Sequence, residues 1–267
     1  MIKNFPLYDA HCHIYPHKIL PRAVLATGDF YLEKPYHDGT VEQLISAGEK
    51  AGIDRFIVQS VATTPHQVKS INEFIADEVN KRSDKLIGLG TIHPESEDMR
   101  ADIMHLKNLG LHGIKIHPDI QHFAVDCKGF EEAYDICEEL GLPVLMHTGD
   151  KRYDFSNPNR LSPLLKRRPG LIVIGAHLGG WSLWETAVRY LYDFENLYVD
   201  TSSALCYIEK EKALEVIRTY GADRVLFGTD YPLHNLTNEV KIFEDLPLDN
   251  DEREKISYLN AKKVYGI

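Results

Sequence analysis

Apolar residues in this chain gather into short, nearly continuous runs, and each run is followed by a longer stretch where they recur at helical spacing. The first run closes with Asp9-Ala10-His11-Cys12-His13, and the others occupy 55–61, 86–94, 113–118, 143–149, 171–180, 197–203 and 224–232. Strands that are apolar on both faces suit a parallel sheet covered by helices. Between them, Thr40-Val41-Glu42-Gln43 reads as a capping box for a helix to about Ala51, stopped by Gly52. Pro65 to Lys81 carries Val68, Ile71, Phe74, Ile75 and Val79 at helical spacing, Ser96 reads as the cap of a helix ending at Gly110, the helix over 128–140 stops at Gly141, and 251–264 supplies the last one. Residues 14–39 contain Pro16, Pro21, Gly28, Pro35 and Gly39 without a clear period. They read as a long loop in which Tyr31, Tyr36 and His37 line a pocket or pack as cover. Eight strand–helix units in 267 residues predict a single α/β domain, a (β/α)8 TIM barrel over 1–267, with no linker dividing it.

Composition narrows the setting. Apolar residues make up 43%, and no apolar run approaches the ~18 residues of a membrane span. The N-terminus lacks a basic region followed by a long apolar stretch, so a cytoplasmic protein without a membrane partner is expected. Thirty basic against 40 acidic residues give a net charge of −10, which supplies no general attraction for nucleic acid. Lys166-Arg167-Arg168, before Pro169-Gly170, reads as the cationic end of a helix. The four cysteines, Cys12, Cys127, Cys137 and Cys206, form no Cys-x-x-Cys pair and are expected as reduced, buried thiols. Cys12, between two histidines on a strand, should face away from them and is not counted as a ligand.

The chemistry gathers at strand ends: His11 and His13 on the first strand, Lys115 and His117 on the fourth, His147 on the fifth, His177 on the sixth and Asp230 on the eighth. In a barrel those ends share one face. Taken singly, His147 and His177 read equally well as hydrogen-bonded core histidines, and Asp230 as a turn or capping residue. As a set, His11, His13, His147 and Asp230 offer three nitrogens and a carboxylate to one divalent metal, zinc in the first place, with manganese or iron as alternatives. Such a metal lowers the pKa of bound water toward ~7. Asp230 then carries its proton, and His177 bonds the water or stabilises developing charge.

These motifs, with Gly113-Ile-Lys-Ile-His-Pro118, His147-Thr-Gly149, His177-Leu-Gly-Gly180 and Gly228-Thr-Asp-Tyr-Pro232, are spread in order across nearly the whole chain. The sequence resembles the amidohydrolase superfamily, and within it the amidohydrolase-related group that contains α-amino-β-carboxymuconate-ε-semialdehyde decarboxylase. The resemblance implies one divalent metal on His11, His13, His147 and Asp230, with His177 catalytic. It also implies an alternative in which a carbamylated Lys115 bridges a second metal and His177 becomes a ligand. An unmodified Lys115 that pairs with a carboxylate or holds the substrate is the favoured reading. His117 lines the pocket or caps structure. Arg152 and Arg160, which lie with Tyr153 after the fifth strand, offer a fork for a substrate carboxylate or face solvent, and Trp181 is a pocket wall or turn packing. The first functional expectation is a hydrolase acting on a C–N or C–O bond of a small organic acid, amide or lactone. The second is a metal-dependent nonoxidative decarboxylase of a small unsaturated or aromatic acid. The third is a metal-containing binding protein without catalysis. A homodimer is compatible with the family, and no interface is specified by the sequence.

Overall fold

The computed structural model describes residues 5–267, and within them the predicted alternation becomes a ring of parallel strands wrapped by helices. β1 (Tyr8–His13), β2 (Arg55–Gln59) and β3 (Leu86–Gly88) pair in that order. β4 (Gly90–Thr91), β5 (Ile114–Ile116), β6 (Val144–Met146), β7 (Val173–Gly175), β8 (Leu197–Asp200) and β9 (Val225–Leu226) follow in a second run. β3 and β4 are halves of the predicted third strand, parted at Leu89, so the nine pieces among the described residues fill eight positions. Backbone hydrogen bonds join β1 to β9 and the segment after it: Ala10 N to Phe227 O at 2.8 Å, Asp230 N to His11 O at 3.0 Å and His13 N to Tyr231 O at 2.7 Å. The architecture is the expected (β/α)8 barrel.

Alternate side chains divide the core. Ala10, Ile57, Leu89, Leu145, Ile174 and Leu226 fill the lumen, together with Ala261, Val264 and Tyr265 of the final helix. Ile114, Ile116, Val144, Met146, Val173 and Val199 belong to the outer core between strands and helices. The helices are α1 (Leu20–Tyr31), α2 (Val41–Ala51), α3 (Val68–Lys81), α4 (Met99–Asn108), α5 (Pro118–Gln121), α6 (Glu131–Leu140), α7 (Pro158–Arg167), α8 (Trp184–Leu191), α9 (Lys210–Tyr220), α10 (Leu236–Glu244), α11 (Asn250–Glu254) and α12 (Asn260–Tyr265), a π-helical turn joining the last two. Among the described residues no helix is long and apolar enough to cross a membrane.

Three local expectations are corrected. The stretch 14–39 is not all loop, because it contains α1. Pro21 sits in the first turn, where a missing N–H costs nothing. Gly28 is a close-approach position: a Cβ there would meet Glu33 O at 2.7 Å as the chain folds back. The cap of α4 is Asp98, which accepts from Ala101 N at 2.9 Å, while Ser96 donates to Asp102 instead. At α2, Thr40 accepts from Gln43 N as predicted, but Asp38 rather than Gln43 takes up the Thr40 N–H. The burial expected of the cysteines is corrected as well: Cys12 and Cys137 are buried, but Cys127 is half-buried and Cys206 is exposed.

The seam is also fastened by a side chain. The fully buried Asp9 carboxylate accepts from Thr229 N at 3.0 Å, from Thr229 Oγ1 and from His11 N at 3.1 Å, tying β1 to the segment after β9. Asp9→Ala would strand these donors, and each buried unsatisfied group costs about 1–3 kcal/mol. Urea denaturation should show a loss of about 2–4 kcal/mol with an unchanged slope against urea concentration; a loss within error of zero would remove Asp9 from barrel closure.

Candidate metal centre and active site

Each candidate side chain stands where a strand stops. β1 carries one more residue than its partner: Tyr8 and Asp9 pair with Arg55 and Phe56, whereas Cys12 and His13 pair with Val58 and Gln59. A bulge of this kind re-aims a strand end. His11 and His13 lie side by side at the barrel mouth, and Cys12 joins the outer core, as its position between them predicted. His11 Nε2 is 3.2 Å from His13 Nε2 and 3.5 Å from Asp230 Oδ1, which is 3.7 Å from His13 Nε2. Ligands about 2.0–2.2 Å from one tetrahedral ion stand roughly 3.3–3.6 Å apart, so this triangle is close to metal-binding size.

The tautomer of His11 supports the same reading. Its Nδ1 lies 2.8 Å from Asp200 Oδ2. The other Asp200 oxygen accepts the backbone N–H groups of His177 at 3.0 Å and Ser202 at 3.1 Å. Burial works to raise the Asp200 pKa, but His11 outweighs it and holds the carboxyl at about 2. The resulting anion keeps a proton on His11 Nδ1 and leaves the Nε2 lone pair turned into the triangle, as second carboxylates do for ligating histidines. Burial is the main force that takes His13, His117 and His147 well below the ordinary imidazole range and His177 to about 4. These rings are therefore neutral, the form that binds metal.

Two candidate residues sit at backbone conformations that few side chains adopt: His177 at φ 61° and Asp230 at φ 64°. Asp230 Oδ2 accepts from Ser203 Oγ at 2.6 Å. Burial would raise its carboxyl, but His11, His177 and His13 hold it below the usual carboxylate range. His177 Nδ1 donates to Ser202 O at 2.8 Å, which leaves Nε2 as the acceptor, 3.0 Å from His147 Nδ1. Glycine permits that meeting. Gly149, at φ 72°, lies so near Gly180 that a Cβ would come within 2.6 Å of its Cα, which explains the glycines of the His147 and His177 motifs.

His147 stands one imidazole away from the triangle, grouped with His117 and Asp119. Its ring stacks on His117 with centroids 4.0 Å apart, and its Nε2 is buried without a hydrogen-bond partner. His117 caps structure, its Nδ1 accepting from Ile120 N at the start of α5, while Nε2 meets Tyr31 Oη at 2.7 Å. Tyr31 also approaches His147 Nδ1 at 3.3 Å and packs edge-on against Trp181 at 5.4 Å. Trp181 therefore packs against Tyr31 at the strand ends. Tyr36 is exposed, and His37 is pinned through its backbone to Pro232 O, so neither joins the cluster.

Lys115 is buried, with Nζ 3.0 Å from His11 Nε2, so its direct partner is a ring nitrogen rather than the expected carboxylate. Burial lowers its pKa to about 8 against the pull of Asp230 and Asp200. The two arginines are already engaged. Arg152 binds Asp150 through Nε and Nη2 and donates Nη1 to Phe30 O, beneath the rings of Phe30, Tyr153 and Trp181. Arg160 pairs with Asp126 and Asp154, both at 3.0 Å, away from the cluster. Sequence reading missed Asp200, Ser202, Ser203 and Asp119. Asp200 ends a strand as the chosen residues do, so the rule that found them would have found it.

The chain is similar to proteins of known activity and structure. The γ-resorcylate decarboxylase of Polaromonas sp. (strain JS666) is 22% identical over 264 positions, covering 79% of this chain and 80% of that one. A TIM-barrel protein from Bordetella bronchiseptica superposes with a TM-score of 0.81 at 20% identity, covering 98% and 99% of the two chains. The 5-carboxyvanillate decarboxylase of Novosphingobium aromaticivorans, solved with manganese and 4-hydroxy-3-methoxy-5-nitrobenzoic acid, superposes with a TM-score of 0.77 at 18% identity, covering 99% and 97%. At these identities the structural likenesses bear on the fold alone. The amidohydrolase family model matches residues 8–267, nearly the whole chain with every strand and the entire mouth cluster, and the chain belongs to that family.

Proposed function

We propose that this protein is a metal-dependent, nonoxidative decarboxylase of a small aromatic carboxylic acid, the second of the three sequence expectations. The observation that carries a metal-centred reading is the meeting of His11 Nε2, His13 Nε2 and Asp230 Oδ1, with the His11 lone pair set by Asp200. The similarity to γ-resorcylate decarboxylase supports decarboxylation over hydrolysis. His11, His13 and Asp230 would hold the ion, and His147, whose Nε2 faces Asp119 Oδ2 at 3.7 Å, would have to turn its ring to become the fourth donor. Nitrogen and oxygen donors without a thiolate suit manganese or zinc. When bound, the metal supplies Lewis acidity that anchors and polarises the oxygens of the acid.

Decarboxylation of an aryl acid places a proton on the ring carbon that bears the carboxylate. The carbon–carbon bond then breaks, its electron pair restores the aromatic ring, and carbon dioxide leaves. His177 would pass that proton. Its Nδ1 is tied to Ser202 O, so protons would enter and leave at Nε2; burial holds the free ring neutral, with a pKa of about 4 against the pull of Asp230, so the proton it passes on would first be taken up from solvent. The apolar lumen below and Tyr31 with Trp181 above restrict water around the cluster.

With 2,6-dihydroxybenzoate as the probe, turnover should release carbon dioxide, cease on chelation and return with manganese or zinc; hydrolysis of amides or lactones without carbon dioxide release would favour the hydrolase expectation instead. His177→Asn should keep its metal content while kcat falls by about 10²–10⁴. Unchanged turnover would remove His177 from the chemistry. Asp200→Asn should weaken metal affinity by about 10–100-fold in a chelator competition, because the ring it orients loses its fixed tautomer.

A further inference from the structure

Beside the barrel mouth a different set of ligand-type side chains converges. Cys206 follows β8, His234 follows β9 and Glu239 lies on α10; one donor atom from each lies within 4.8 Å of the other two. Glu239 is only 2% exposed, and its Oε2 has no hydrogen-bond partner. Its carboxyl bonds the Cys206 thiol, and burial pushes its pKa up to about 8. Buried polar atoms in native proteins are paired, so an orphan in a triangle of thiol, imidazole and carboxylate marks a missing partner.

The hydrogen-bond chain next to it points the same way. Ser203 gives its hydroxyl hydrogen to Asp230 Oδ2 at 2.6 Å, so at 2.8 Å it accepts from His234 Nε2–H. Nδ1 is then the ring nitrogen left to meet a cation. Cys206 is exposed and borders a cavity of about 180 Å³.

We propose that Cys206, His234 and Glu239 form a second cation site, separate from the His11, His13 and Asp230 centre, for a borderline-soft divalent ion of the zinc type. Thiolate with imidazole selects zinc over manganese, magnesium or calcium. Bonds of about 2.0–2.3 Å put ligand atoms roughly 3.3–3.8 Å apart, so a small closure of the triangle completes the site. Binding displaces to solvent both the thiol proton and the proton that burial keeps on Glu239 by pushing its pKa up to about 8. The ion would brace the mouth, since His234 reaches Asp230 through Ser203, and Tyr207, next to Cys206, bonds Glu33 just beyond α1.

Cobalt(II) titration of the metal-free full chain tests this, because thiolate ligation gives a near-ultraviolet charge-transfer band that histidine and carboxylate ligands cannot give. The wild type should take up two equivalents and develop the band. Cys206→Ser should lose the band and one equivalent, and Glu239→Gln should weaken that equivalent, with the fold of each checked by circular dichroism. His11→Ala should lose the other equivalent and keep the band, which separates failure of this site from failure of the barrel centre. A wild type without the band, or a band that survives Cys206→Ser, would overturn the proposal.

Discussion

The site depends on one buried carboxylate. Asp200 ends β8 and accepts from His11 Nδ1, from the backbone N–H groups of His177 and Ser202, and from the Ser202 hydroxyl. A bare carboxylate inside a protein is expensive, and a carboxylate with this many donors is not. Through it the ends of β1, β7 and β8 share a single anchor, and His11 acquires both its orientation and its tautomer. Its pKa of about 2, below the unfolded value of 3.8, also stabilises the fold across the neutral range. That contribution is lost as pH falls through about 2.

The barrel provides the rigidity that such a site needs. Aliphatic side chains fill the lumen, and polar atoms begin where the strands stop. There the backbone leaves its regular path repeatedly, among other places at the β1 bulge and at the left-handed residues His177 and Asp230. Each departure turns a side chain inward that regular alternation would send elsewhere. Conformations of this kind persist only where the surroundings over-determine them, and the closed ring with Asp9 across its seam does so.

Much of this was legible in the sequence because the evidence there is periodic. Alternating strand and helix patterns implied the barrel, and polar residues at strand ends implied the mouth cluster. Other features were hidden for physical reasons. Pro21 and Gly28 looked like loop punctuation, whereas one starts a helix and the other lets the chain fold back beneath it. Arg152 and Arg160 looked free, yet their acidic partners Asp150, Asp126 and Asp154 decide otherwise, and only folding brings Asp126 to Arg160. His147 reads as a ligand by motif, but its neighbours in space are His117 and Asp119. Asp200 was passed over although its position announced it.

The phenol of Tyr31 has a consequence for affinity. It already bonds His117 and His147, so a ligand that reaches those rings must take its place and free α1 from the mouth. Recognition is then an exchange between an internal occupant and an external one. The dissociation constant observed in solution is the intrinsic constant divided by the fraction of molecules in which the tyrosine has swung away. The chain acts as a competitor for its own site, always present at the same effective concentration.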